Sequence, residues 1–220
     1  MRKIRTMIWA TIFFLAFSTG VAKGQSEPER ASSPNDTTVH DTKNASPNSI
    51  TKKERAKIFV RGAFGPSAIA GAAVTGGLNQ ERDKPATWPQ GAGGFARRFG
   101  SAFGQHVVKE SIMAGVGAAH HEDPRHYRSH ESGFWTRTKY AVKSTFVVPR
   151  TDREGKTVSL GRLSGDFGSG MVSRAWWPTT GSVVATGLES GGISLGVDVG
   201  ANVFREFWPD IHRKFRRHAD

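Results

Sequence analysis

The chain of 220 residues contains no cysteine. That excludes a disulfide framework, thiolate catalysis, a cysteine-ligated zinc site and a lipid anchor attached to cysteine. Acidic residues are also scarce, with 19 Asp and Glu against 31 Lys and Arg and a formal net charge of +12. A basic balance of this size favours anionic surfaces such as lipid headgroups or acidic polysaccharide. The sequence holds no HExxH pair, no GxSxG elbow and no glycine-rich phosphate loop placed after a strand. No pair of carboxylates stands out for acid–base work. A catalytic activity is therefore not legible, and no cofactor is implied.

What is present begins with an address. Arg2, Lys3 and Arg5 precede the apolar run from Met7 to Phe17, and Gly20-Val21-Ala22 supplies a small-x-small cleavage site. This pattern predicts a secretory signal peptide over residues 1–22, with an uncleaved N-terminal anchor as the rival reading. Residues 23–50 are rich in Ser, Pro, Asn, Asp and Thr and hold almost no large apolar group. Such a segment cannot bury enough surface to offset its ordering entropy, so a disordered linker is expected. Residues 51–220 are long enough for one domain with its own core.

Helical spacing dominates that domain. Thr51 and Glu54 stand at capping-box distance, and Gly65-Pro66 separates a first helix from a second, small-residue one. The stretch from Trp88 to Arg128 holds the central helix, which follows a polar loop over Asn79 to Gln90, breaks near Gly115–Gly117 and ends before Pro124. Within it Phe95, Phe99 and Phe103 share one face, and Ala92, Ala96, Gly100 and Gly104 form a flat stripe beside them. Two helical glycines cost about 2 kcal/mol against alanine. Close approach of a second helix would offset that cost, as in small-xxx-small packing. Gly161, Gly165, Ser169 and Ser173 make another such stripe, and Pro149 to Lys156 a turn. Residues 191–204 carry both signals. Gly192, Gly196 and Gly200 have helical spacing, while Ile193, Leu195, Val197 and Val199 alternate like a strand. Helix is the favoured reading. The expected fold is all-α, a compact helical bundle with small-xxx-small, glycine-zipper-like packing stripes.

Three groups of residues are candidates for a site. His120, His121, Glu122, Asp123, His126 and His130 crowd one segment, and His121, Asp123 and His126 are the set to test for a divalent metal. Pro124 breaks any common helical register among them, so a solvated helix end is the competing reading. Arg97, Arg98, Arg125 and Arg128 are candidate anion binders, or else members of a polar network at helix ends in which Asp123 pairs with Arg125. Tryptophans 88, 135, 176, 177 and 208 stand near element ends, as interfacial anchors or as plugs of a soluble core.

WPQGAGGFARRFGSAFG, HEDPRHYR, WTRTKYAVKSTFVVPRTD and NVFREFWPDI follow one another in this order. Together they resemble the signature of a family of uncharacterised exported bacterial proteins, over about Phe59 to Phe215. The resemblance implies export and assigns no activity and no residue role; the histidine pair before Glu122, His120 and His121, lies outside the pattern. The expected function is non-catalytic: an exported envelope protein, periplasmic or outer-membrane-associated, held to a membrane or anionic surface by glycine-striped helices and basic flanks. Self-association through those stripes is compatible with this, and nucleic acid is not an expected partner. The alternative is a soluble periplasmic metal-dependent enzyme using the His120–His130 region.

Overall fold

A computed structural model describes residues 49–129, 132–179 and 181–216. The signal peptide and nearly all of the linker lie outside the described residues, as does His130 of the histidine cluster. The remainder is an all-α bundle: α1 (Lys52–Phe64), α2 (Pro66–Glu81), α3 (Ala92–Ala119), α4 (Phe134–Phe146), α5 (Leu160–Val172) and α6 (Val183–Arg216). A two-stranded antiparallel ribbon, β1 (Val147–Pro149) and β2 (Lys156–Val158), pairs Val147 with Val158 across the expected turn.

The local signals act where the spacing puts them. Thr51 Oγ1 accepts the Glu54 N–H at 3.1 Å and starts α1. Gly65 ends α1 by donating its N–H to the Arg61 carbonyl. A Cβ at Gly65 would stand 2.2 Å from that same oxygen, so only glycine fits the break. Pro66 then occupies the first turn of α2.

The axis of the bundle is α3. Along one side run α1 and α2, antiparallel to it, with Gly76 against the Phe99 backbone and His106 bonded to the Gly62 carbonyl. Along another side runs α5, where a Cβ at Gly161 would meet the Met113 carbonyl at 2.8 Å and one at Gly165 the Lys109 carbonyl at 2.9 Å. Helix α6 packs back on α5, and α4 packs on the second half of α6. The expected break at Gly115–Gly117 does not occur. Gly117 is buried where the first turn of α5 crosses, and α3 continues unbroken to Ala119.

The stripes need one correction. Gly161, Gly165, Ser169 and Ser173 are all buried, as a packing stripe should be. Ala92, Ala96 and Gly100 are exposed, however, and among the described residues a Cβ on Gly100 would meet nothing within 4 Å. A Cβ on Gly104 would graze only the Trp176 ring, at 3.8 Å. The α3 stripe therefore faces outward, and the face that packs carries Gly94, Arg98, Ser101 and Lys109. Gly100→Ala is accordingly expected to stabilise the protein by about 0.5–1 kcal/mol, since it removes a helix-interior glycine without a clash. Gly170→Ala should cost about 1–3 kcal/mol, because its Cβ would lie 2.4 Å from the Gly187 carbonyl and 2.9 Å from Gly191 N. Urea midpoints of the two variants in the same detergent or buffer compare them directly; equal shifts of the same sign would reject the assignment of faces.

Residues 191–204 are helical within α6. The deciding feature is a polar residue every fourth position. Ser190, Ser194, Asp198, Asn202 and Glu206 each hydrogen-bond to another part of the bundle. A step of four overshoots a helical turn by about 40°, so the stripe winds around α6. Its first half meets α3 and α5, and its second half meets α4. A strand would have sent these residues to a single face without reaching three partners.

Candidate functional site: an inverted interior and a basic recess

The segment that leaves α3 is tied down residue by residue. His120 caps α3, and His121 takes a left-handed conformation at φ 56°. Glu122 is buried and caps α5 from a distance: its carboxylate accepts the Gly161 N–H at 3.0 and 3.2 Å and the Ser159 hydroxyl at 3.4 Å. Asp123 is buried as well. It accepts from Arg125 Nε and Nη2, from the Arg125 backbone N–H and from the Tyr127 hydroxyl at 2.8 Å. Burial by itself would raise the Asp123 pKa, but these donors prevail and hold it below the usual carboxylate range. The expected Asp123–Arg125 pair is present, at 2.7 Å.

His121, Asp123 and His126 do not form a ligand set here. Both oxygens of Asp123 are occupied by Arg125, and one also by Tyr127. His126 is directed to a cationic neighbourhood: partial burial and the Arg205 guanidinium lower its pKa, against the opposing pull of Glu206. Among the described residues, no group of three or more His, Asp or Glu side chains is placed to hold a metal ion.

The four candidate arginines are dispersed. Arg97 is exposed on the outer face of α3. Arg98 is fully buried, and all five of its N–H donors are occupied by acceptors in residues 80–89. It therefore holds the loop between α2 and α3 and cannot receive an external anion. Arg125 grips Asp123, and Arg128 reaches the Glu206 carbonyl at 3.5 Å. The polar-network reading describes Arg98 and Arg125 best.

Basic side chains instead converge beside this segment. The residues from Asp123 to Tyr127, the end of α4, the β ribbon, Arg162 of α5 and Arg205 of α6 enclose a recess of 190 Å³. Sequence reading missed Arg162 and Arg205, which lie on different helices and share no motif.

A second cluster sits in the middle of the bundle. Lys109 Nζ lies 2.7 Å from Asp166 and 2.6 Å from Asp198. Ser194 donates to Asp166 at 2.6 Å, and Lys109 also donates to Ser194 at 3.2 Å. Further along α6, the buried Glu206 accepts from Arg137 and from the Ser129 N–H. These residues lock four helices, α3 to α6, together. Their charges are paired with one another inside the bundle, so the cluster reads as structural.

The distribution of side chains is the reverse of an ordinary soluble core. The largest fully buried side chains are Arg98, Glu206, Thr145, Asp123, Asp166, Ser169 and Ser173, all polar. Among the described residues the buried apolar ones are four alanines and two valines. Large apolar groups point outward instead: Trp135 is 72% exposed, Ile193 63%, Phe134 60% and Val197 53%. A ladder of phenylalanine rings, Phe59, Phe64, Phe103, Phe99 and Phe95, runs across α1 and α3 at centroid spacings of 6.2–6.4 Å, with Phe64 and Phe95 exposed and the other three half-buried. Trp88 and Trp177 close one end of the bundle on each other at 5.1 Å.

No family model, no curated protein and no solved structure matches this chain. Its chemistry rests on its own geometry. That geometry leaves open to a partner an apolar exterior, with a shallow hollow along α1 lined by Ala56, Lys57, Val60, Arg61, Phe64 and Gly65, and the basic recess.

Proposed function

We propose that the protein is a non-catalytic exported envelope component that seats its apolar exterior in or on an envelope membrane. The observation that carries this reading is the inverted interior. Soluble cores bury Leu, Ile, Val and Phe and expose charge. Helix bundles in lipid are held by small residues and internal polar contacts, and turn their large apolar groups outward. Here Gly170 meets Gly187 and Gly191 at backbone distance, charged residues pair within, and Ile193 and Val197 face out. The stretch Lys52–Glu81 adds to this. By length and composition it could cross a membrane, with a mean hydropathy of 1.3 over its most apolar window and 22% of that window buried. The sequence treats the run from Pro66 to Leu78 as too short to span; with α1 ahead of it, the apolar surface is longer.

Basic residues on α1, Lys52, Lys53, Lys57 and Arg61, are exposed. Each cation near an anionic leaflet contributes about 1 kcal/mol. The N-terminal signal pattern and the likeness to a family of exported proteins belong to the same reading.

Fractionation of cells that produce the full-length protein tests the proposal. Native protein is expected to resist salt and carbonate washes and to come away only with detergent. Ile193→Glu and Val197→Glu together should move most of it to the soluble or salt-released fraction while helical circular dichroism is retained. Wild-type protein recovered wholly without detergent would overturn the membrane reading. Recovery as a discrete soluble dimer would assign the outer face to a second copy instead.

A further inference from the structure

We propose that the recess between the Asp123–Tyr127 segment, the β ribbon and helices α5 and α6 is a binding site for a phosphoryl oxyanion. Arg125, Lys143, Lys156, Arg162 and Arg205 line it, and Asp123 is the one carboxylate among its lining residues. That carboxylate is already bound by Arg125 at 2.7 Å. The potential inside is positive. Arg162 and Arg205 repel each other there, and both disfavour a charged imidazole on His126. Glu206 and Asp198 are not among its lining residues: Glu206 is committed to Arg137, Asp198 Oδ1 to Lys109, and Asp198 Oδ2 stands 3.7 Å from Arg162, while Asp198 and Glu110 offset part of the repulsion on Arg205.

Arg162 is the decisive residue. Its Nε and Nη1 atoms are buried and have no hydrogen-bond partner among the described residues. Its nearest acidic oxygen is Asp198 Oδ2, at 3.7 Å, beyond hydrogen-bond reach. Buried guanidinium donors left unmade carry their full desolvation penalty. An oxygen-rich anion in the recess would satisfy both, because the guanidinium fork matches phosphate geometry. Several cations around one small space favour a dianion over a monocarboxylate. The volume of 190 Å³ falls below the roughly 300–1,000 Å³ of sites for drug-sized ligands. The recess therefore fits a phosphate group and not a whole nucleotide. Inorganic phosphate and a lipid headgroup share this chemistry, and the experiment separates them. The site does not depend on the membrane reading, since its residues are not those of the apolar exterior.

The test uses full-length protein in detergent, titrated with inorganic phosphate against chloride at matched ionic strength and followed by calorimetry. Flotation with phosphatidylglycerol vesicles, with and without excess phosphate, forms the second arm. Saturable phosphate binding that weakens at least about tenfold in Arg162→Gln, but not in Lys57→Gln on α1, assigns free phosphate. Flotation that depends on Arg162 and resists competition by phosphate assigns a headgroup. Lys156→Gln, at the ribbon surface, supplies a second variant should Arg162→Gln fail to fold, and it should weaken binding in the same direction. Equal binding by wild type and both variants, or no saturable binding in either arm, overturns the proposal.

Discussion

Lys109→Met is expected to lower stability by about 3–5 kcal/mol, the usual cost of removing one partner from a buried charge pair. Nearly the same volume remains, so cavity formation contributes little. The loss comes from Asp166 and Asp198, which in the wild type stand 2.7 and 2.6 Å from the ammonium. Without it two carboxylates share a site from which Asp166 is fully closed to water. Domain stabilities are of order 5–15 kcal/mol in total, so the variant should accumulate poorly or melt far below the wild type. Adding Asp166→Asn and Asp198→Asn should recover a large part of the loss, because a neutral polar cluster no longer carries uncompensated charge. Chemical denaturation of the single and triple variants measures both effects. A single variant within about 1 kcal/mol of wild type would mean that water reaches the cluster and that it does not hold α3, α5 and α6 together.

The second large effect is expected at Arg98. Its side chain has no exposed surface, and its donors reach the carbonyls of Lys84, Pro85, Trp88 and Pro89 and the side chain of Gln80, at 2.6–3.3 Å. Gly94 makes room for this contact: a Cβ there would lie 1.7 Å from the Pro89 carbonyl. Arg98→Met should cost about 3–5 kcal/mol, because several acceptors lose their donors at once. Arg98→Lys should restore only part of that, since an ammonium has three donors and no planar fork. Limited proteolysis reports the local consequence. Cleavage should concentrate between residues 82 and 91, while the contacts of α5 with α6 stay protected. An unchanged cleavage pattern would show that the loop is held by other contacts.

Several elements were readable from spacing because their determinants are local. Thr51 as a cap, the break at Gly65, the turn after Pro149 and the buried stripe Gly161–Ser173 came out as read, while Pro66, read as standing just outside the second helix, occupies its first turn. The α3 stripe misled for a physical reason. Periodicity assigns residues to a face but does not say which face meets a neighbour. The Phe95–Phe103 side and the Ala92–Gly104 side are as regular as the Arg98–Lys109 side, and an expectation that apolar and small residues turn inward selects the wrong one. The polar stripe of α6 was legible by the same rule, as Ser190, Ser194, Asp198, Asn202 and Glu206 stand four apart. The alternation of Ile193, Leu195, Val197 and Val199 obscured it.

By itself the sequence determined the helical class, most helix boundaries, the basic balance and the absence of thiol chemistry. These follow from residue types and from contacts a few positions apart. Only the tertiary structure decided that charge lies inside and large apolar groups outside. It alone brought Arg162 and Arg205 to one recess and gave Glu122 the task of capping α5 across 39 positions. The reason is that burial and ion pairing belong to surfaces formed between helices. A one-dimensional pattern contains the two faces of each helix, but not the neighbour that each will meet.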